Sequence, residues 1–166
     1  MRNIQIQKNV LRILSVITLG VLFLLLRKRP TKDWVVAYLF NAVSNGIIDK
    51  MVVKHKLVKY PVRLFPQFFN IHILFDFLIY PTITVMYNQI TYKNKPLAII
   101  GKIFLFTIPM LIIEFWAEKQ TDLIEWKKGW GWSHTLIGLT IMSLLARLFV
   151  GLVRYVSEGR KRERNV

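Results

Sequence analysis

The sequence predicts an all-α fold, an integral membrane bundle of about five transmembrane helices. The chain has 166 residues, of which 54% are hydrophobic and none is cysteine, and its mean hydropathy is +0.39. Its 24 Lys and Arg residues stand against 9 Asp and Glu, and the apolar residues form blocks with the charge mostly between them. This pattern excludes a soluble enzyme, a coiled coil, a disordered tail and a disulfide-stapled secreted module.

Five apolar blocks are long enough to cross a bilayer, which takes about 20 residues of helix. They cover residues 10–26, 34–53, 68–87, 97–116 and 130–156, and a basic tail follows at 157–166. The connections are short, so we expect a single membrane domain over 1–166. The second block is the weakest, because polar residues interrupt it.

The first block follows a short basic start, as a signal peptide would. It lacks small residues spaced for cleavage and runs directly into a basic cluster, so we predict a retained helix. Pro81 and Pro109 lie inside the third and fourth blocks. Proline is tolerated there when a neighbouring group satisfies the carbonyl that it frees.

Orientation is predicted from the Lys and Arg residues at the ends of the blocks. The first block is followed by four of them within positions 27–32, and the chain ends in another basic cluster. We therefore expect a multi-pass protein of the bacterial cytoplasmic membrane with its amino terminus outside.

The basic loops and the tryptophans predict contact with lipid. Cations at headgroup level attract anionic lipid, and amphipathic rings form belts at both interfaces. The tail could alternatively recruit a partner, but the charge is spread over every loop without a stacking platform, so we expect no nucleic acid. The expected interfacial anchors are Trp34, Trp116, Trp126, Trp130 and Trp132.

Ionisable residues inside the blocks need an explanation, because a charge at mid-bilayer is costly. In any five-pass arrangement the end of helix two, the start of three, the end of four and the start of five meet at one side of the membrane. The ion- or proton-binding candidates at these positions are Asp49, His72, Asp76, Glu114 and His134.

Further polar residues lie deeper in the blocks, some of them four apart and therefore on one side of a helix. We expect hydrogen bonds between helices from Asn41, Asn45, Tyr80, Thr140 and Arg147.

Three interpretations of these polar groups stay open. They could bond across helices and hold the bundle together, with Ala42 and Gly46 allowing close approach. They could bind a translocated proton or cation at Asp76 and Glu114, with His72 and His134 titrating near neutral pH. They could bind a divalent metal. No hydrolase or metalloprotease motif is present, so we predict no catalytic residue, no resident metal and no cofactor.

Several short runs resemble a family of small five-helix membrane proteins from endospore-forming Gram-positive bacteria. The resemblance covers about positions 32 to 150. The runs are Lys32-Asp33-Trp34, Asn70-Ile71-His72, Leu78-Ile79-Tyr80-Pro81-Thr82, Ile113-Glu114-Phe115, Gly129-Trp130-Gly131-Trp132-Ser133 and Arg147. The resemblance implies an integral cytoplasmic-membrane protein and draws attention to His72, Glu114 and Trp130. It implies no activity.

From the sequence we expect a structural or accessory component of the envelope. The alternative is a small proton- or cation-coupled transporter or channel. Transporters usually build their path from repeated halves, and this chain has no repeat, so that alternative implies a homo-oligomer.

Overall fold

The computed structural model describes residues 3–127 and 129–164, with side chains as far as Gly159. It is 76% helical. The helices are α1 (Ile4–Leu26), α2 (Thr31–Lys54), α3 (Tyr80–Ile90), α4 (Pro96–Gln120) and α5 (Trp132–Arg164). A π-helical segment, Phe75–Ile79, leads into α3. Two short strands, β1 (Val58–Lys59) and β2 (Glu125–Trp126), pair antiparallel.

The all-helical prediction is confirmed, and three of the five helices are long and apolar enough to cross a membrane. These are α1, α4 and the Trp132–Gly159 part of α5. α2 carries polar residues along its length, and α3 has only 11 residues. The structure therefore supports a membrane protein with three apolar helices.

The helix boundaries differ from those predicted where a polar side chain controls them. α1 begins at Ile4 rather than at position 10, because the Asn3 side chain accepts the N–H groups of Gln5 and Ile6. α5 continues through the predicted tail as far as Arg164, since Lys, Arg and Glu are good helix formers. The last two residues of that tail lie outside the described part of the chain.

The third helix starts later than predicted. Residues 68–72 are not helical, and helical structure begins only beyond His72, whose Nδ1 accepts the Phe75 N–H at 3.3 Å. The segment before it includes three exposed phenylalanines, Phe65, Phe68 and Phe69. The predicted block was too long because these apolar residues have the hydrophobicity of a membrane helix although they lie in a loop.

Pro81 shapes the start of α3. Because proline has no N–H, the carbonyl of Phe77, four residues earlier, loses its helical donor. The hydroxyl of Tyr38 on α2 donates to that carbonyl at 2.5 Å. A residue of a neighbouring helix thus satisfies the carbonyl that the proline frees, as expected from the sequence.

The centre of the bundle is formed by α2, α3 and α5, with α4 packed on α5 and α1 on α3. Fully buried positions in this centre are often polar, among them Asn41, Asp76 and Thr84. The outer faces are apolar: Val16 is 71% exposed and Leu105 67%. Polar residues inside and apolar residues outside are typical of a protein surrounded by lipid.

Contacts between loops define two ends of the bundle. We call the end formed by residues 55–74 and 121–127 the upper end; β1 and β2 pair there, and Gln7 of α1 exchanges two hydrogen bonds with Asp122. The lower end is formed by residues 27–30 and 91–95. Arg147 of α5 donates to the carbonyls of Thr91 and Tyr92 at this end.

Candidate functional site

A small cavity of about 100 Å³ lies at the upper end between α2, the π-helical segment, α4 and α5. The structure brings four of the five candidate groups to its lining, Asp49, Asp76, Glu114 and His134. The fifth, His72, lies behind Tyr60, with 5.5 Å between the ring centroids.

The two aspartates form the centre of this site. Asp49 accepts a hydrogen bond from the Tyr60 hydroxyl at 2.8 Å, and Asp76 accepts one from the Asn45 side-chain amide at 3.0 Å. Both bonds end on Oδ1. The two carboxyl groups lie close enough to hydrogen-bond to each other.

The second oxygen of each aspartate is buried and makes no hydrogen bond to a described residue, although the other aspartate and the backbone N–H of His72 lie beside both carboxyl groups. Asp76 is only 2% exposed and Asp49 9%. Within the described ranges neither carboxyl belongs to an ion pair. The site therefore contains two adjacent buried carboxyl groups without a protein cation to balance them.

Glu114 forms a separate hydrogen-bonded group on the α4 side of the cavity. Its Oε1 accepts from the Thr135 hydroxyl at 2.8 Å and from the Trp126 indole at 3.1 Å. Trp130 in turn donates to the Thr135 oxygen at 3.2 Å. These donors fix the orientation of the Glu114 carboxyl group.

His72 is buried, which opposes the expected titration near neutral pH. Burial, together with the positive charge of Arg63, lowers the pKa of His72 to about 4. The imidazole is neutral at physiological pH, and its Nδ1 serves as an acceptor at the start of the π-helical segment.

Tyr60 was not among the predicted site residues. It lies in the loop after β1, and burial, with the nearby negative charge of Asp49, raises the pKa of its hydroxyl. Tyr60 therefore remains a hydrogen-bond donor to Asp49. Periodicity could not identify it, because it belongs to no helix; its position between two membrane blocks is the only signal in the sequence.

The deeper polar residues behave in two ways. Asn45, Tyr80 and Arg147 bond between elements as predicted; Tyr80 donates to the Leu139 carbonyl at 2.8 Å and lies 3.1 Å from the Ser143 hydroxyl. Asn41 lies beside the Tyr80 hydroxyl. The predicted interhelical bonds of Asn41 and Thr140 are not formed to any described residue.

The tryptophans also divide into groups. Trp116 and Trp132 are each 58% exposed at the upper end, as interfacial anchors would be. Trp126 and Trp130 donate into the Glu114 group instead. Trp34 is 3% exposed and packs edge-on to Tyr92, so its prediction as an interfacial anchor is wrong. It is buried because it packs in a hydrophobic cluster with Leu25, Val85 and Val150.

The metal interpretation finds no site. Across residues 3–127 and 129–164, no three His, Cys, Asp or Glu side chains are arranged so that they could hold a metal ion.

Comparison with known proteins gives no match: no protein family, curated protein or solved structure is similar to the chain. Any functional conclusion therefore depends on the site itself.

Proposed function

We propose that this protein is a five-pass membrane protein that binds a proton or a monovalent cation at Asp49 and Asp76 and passes it through the bundle. The observation that carries this proposal is the adjacency of two buried carboxyl groups that form no ion pair with a described residue and whose second oxygens form no described hydrogen bond.

The five-pass arrangement is supported by where the loops meet. The β1–β2 pair joins the α2–α3 connection to the α4–α5 connection at the upper end. Arg147 joins α5 to the α3–α4 connection at the lower end. α2 therefore extends from one end to the other beside α5, and the π-helical segment and α3 together return across the same distance.

Electrostatics explains why the pair would take up a positive charge. Two buried carboxylates side by side repel each other, and neither is paired with Lys or Arg in the described structure. A proton or small cation between them removes the repulsion and gives the free oxygens a partner. Ionisable groups of this kind within membrane segments are typical of ion and proton pathways.

A path from the pair toward the lower end is marked by buried polar groups. Asn41 and Tyr80 lie one helical turn below Asn45 and Asp76. Farther down α3, Asn88 donates to the Thr84 carbonyl, and Arg147 reaches Thr91. Polar atoms in this region without a described partner belong to Asn41, Thr84, Asn88, Thr107 and Thr140.

The second candidate is a structural or accessory envelope protein whose polar groups only hold helices together. The bonds from Asn45 to Asp76 and from Tyr80 to Leu139 favour it. A purely structural network, however, gains nothing from buried oxygens that lack donors, because each one costs desolvation energy. This cost favours the binding proposal.

We further propose that the protein lies in the bacterial cytoplasmic membrane with its upper end outside, and that it belongs to the family of small five-helix membrane proteins that its motifs resemble. The basic residues behind α1 and in α5 support this orientation. Since the chain has no internal repeat, two copies would complete the path, and a dimer in mild detergent would support this.

The test is ion flux into liposomes that contain the purified protein. Under a potassium diffusion potential, with a pH-sensitive dye or an ion indicator inside, we expect flux of protons or of one alkali cation. Asp76→Asn should abolish it, because the neutral amide cannot carry the charge. Glu158→Gln removes an acid that lies exposed on the last turns of α5, and it should leave the flux unchanged.

Two outcomes contradict the proposal. One is the absence of flux in the wild type under every gradient. The other is flux that Asp76→Asn leaves unchanged while the folded protein is recovered in equal amount.

A further inference from the structure

We propose that a groove between α4 and α5 at the lower end binds one anionic phospholipid, with an acyl chain along the groove and the phosphate at Arg147. This site is separate from the carboxyl pair, and its test does not depend on flux.

The groove has a volume of about 930 Å³, within the range of about 300–1,000 Å³ that is typical of ligand sites. It lies between the first turns of α4 and the middle of α5, and one residue of α2 also lines it. Its lining includes Phe40, Ile99, Leu144, Leu148, Leu152 and Tyr155. Leu148 and Leu152 are 68% and 59% exposed, so the groove opens on the lipid-facing surface.

Arg147 is the one charged side chain in the described lining of the groove. Its Nη2 donates to the carbonyls of Thr91 and Tyr92 at 3.2 and 3.3 Å. No hydrogen bond from its Nε or Nη1 to a described residue is formed, and it belongs to none of the described ion pairs. The guanidinium forms no ion pair with a described carboxylate, and because Nε is buried, Nη1 is the group that keeps N–H groups for another acceptor.

The depth of Arg147 fits a phosphate. Thr91 and Tyr92 belong to the loop between α3 and α4, which places the guanidinium at headgroup level rather than at mid-bilayer. Arginine binds phosphate through several N–H groups in a planar fork, and basic pockets between membrane helices bind lipid headgroups in this way.

The charge of the lower end also favours a lipid over a second copy of this chain as the molecule that occupies the groove. The lower end carries a dense set of cations, and Asp33 is already paired with Arg154 at 3.4 Å. Two copies joined here would bring like charges together, whereas an anionic lipid neutralises them. The cations of the lower-end loops and the start of α2 are Arg27, Lys28, Arg29, Lys32, Lys93 and Lys95.

Gly151 allows a test that leaves Arg147 in place. It lines the groove, and a Cβ added there would meet nothing within 4 Å. A Cβ therefore fits at this position, and Gly151→Leu should place a side chain in the groove where the acyl chain would lie. Gly20 on α1 also has open space around it and lies away from the groove, so Gly20→Leu is the matched control.

The experiment is native mass spectrometry of the purified protein with phosphatidylglycerol or phosphatidylcholine added in mild detergent. We expect the wild type and Gly20→Leu to retain one phosphatidylglycerol about tenfold more tightly than phosphatidylcholine. Gly151→Leu should lose the bound lipid. Arg147→Gln should bind the two lipids alike.

Equal retention of both lipids by the wild type would overturn the proposal, and so would full retention by Gly151→Leu. A wild-type dimer that Gly151→Leu separates would show that a second copy occupies the groove instead. If Arg147→Gln fails to fold, Gly151→Leu still decides the result.

Discussion

At the level of single residues, the oxygens of Asp49 and Asp76 decide how this site is interpreted. Each carboxyl group has one oxygen held by a neutral donor, Tyr60 or Asn45, and one without a described donor. Neutral donors fix the positions of the carboxyl groups without cancelling their charge. In the proposed function the pair takes up a positive ligand that can leave again, whereas a buried lysine would balance its charge permanently.

His72 predicts how stability changes with pH. Its pKa is about 4 in the folded protein and about 6.5 in an unfolded chain. As pH falls from 6.5 toward 4, the unfolded state binds more protons, so the free energy of unfolding falls by up to about 1.4 kcal/mol per pH unit. Above pH 6.5 this contribution is fully present and constant.

His72→Asn tests this prediction, because asparagine can accept the Phe75 N–H but does not titrate. Thermal unfolding in detergent should show a steeper loss of stability in the wild type than in the variant between about pH 6.5 and 4.5. Both proteins share the surrounding Tyr60, Arg63, Asp49 and Asp76. Parallel curves for the two proteins would contradict the assignment.

At the level of elements, Tyr38 and Pro81 form a coupled pair at the start of α3. Tyr38→Phe should leave the Phe77 carbonyl without a donor and lower the free energy of unfolding by about 1–3 kcal/mol. In Pro81→Ala the new N–H can bond to that carbonyl, so removing the Tyr38 hydroxyl should cost less. A double-mutant cycle measures the difference, and equal costs in both backgrounds would refute the coupling.

The sequence predicts the elements well where length and hydrophobicity determine them. The blocks at 10–26 and 97–116 lie within α1 and α4, because an apolar run of that length has few alternatives. The loop 55–74 was not predictable in the same way. Its start pairs with β2 through only two residues, and its phenylalanines have the hydrophobicity of a helix but form only a single hydrogen-bonded turn.

The site could be predicted in part for the same reason. Topology alone places Asp49, Asp76, Glu114 and His134 at one end, and all four line the cavity. The donors Tyr60 and Trp126 come from the loops. Thr135 lies on α5, and its side-chain rotamer decides whether its hydroxyl reaches Glu114. Their contacts depend on loop conformation, which no period in the sequence encodes.

At the level of the whole molecule, the central prediction is that α2 and α3 cross the membrane together with the three apolar helices. The natural chain has no cysteine, so single cysteines can be labelled without background. With a membrane-impermeant maleimide on intact cells, Lys54→Cys and Lys127→Cys should react from outside. Arg29→Cys and Lys93→Cys should react only after permeabilisation.

Lys54→Cys is the informative position, because it follows α2. If α2 and α3 do not cross, it should be protected in the same way as Lys93→Cys. If instead Arg29→Cys and Lys93→Cys react from outside and the other two variants react only after permeabilisation, the protein still crosses five times but in the opposite orientation. A reporter fused after Val166 gives an independent check, and activity only outside the cytoplasm would contradict the proposed orientation.

The most direct test of the carboxyl pair as a binding site is thermal unfolding of the purified protein in detergent. Wild type and Asp76→Asn are compared in choline, lithium, sodium and potassium chloride between about pH 7.5 and 9, above the range in which histidine titrates. We predict that the unfolding temperature of the wild type depends on pH or on one cation, and that this dependence disappears in Asp76→Asn. A flat response, with the variant less stable by the same amount under every condition, would contradict the account and make the pair part of the bundle architecture.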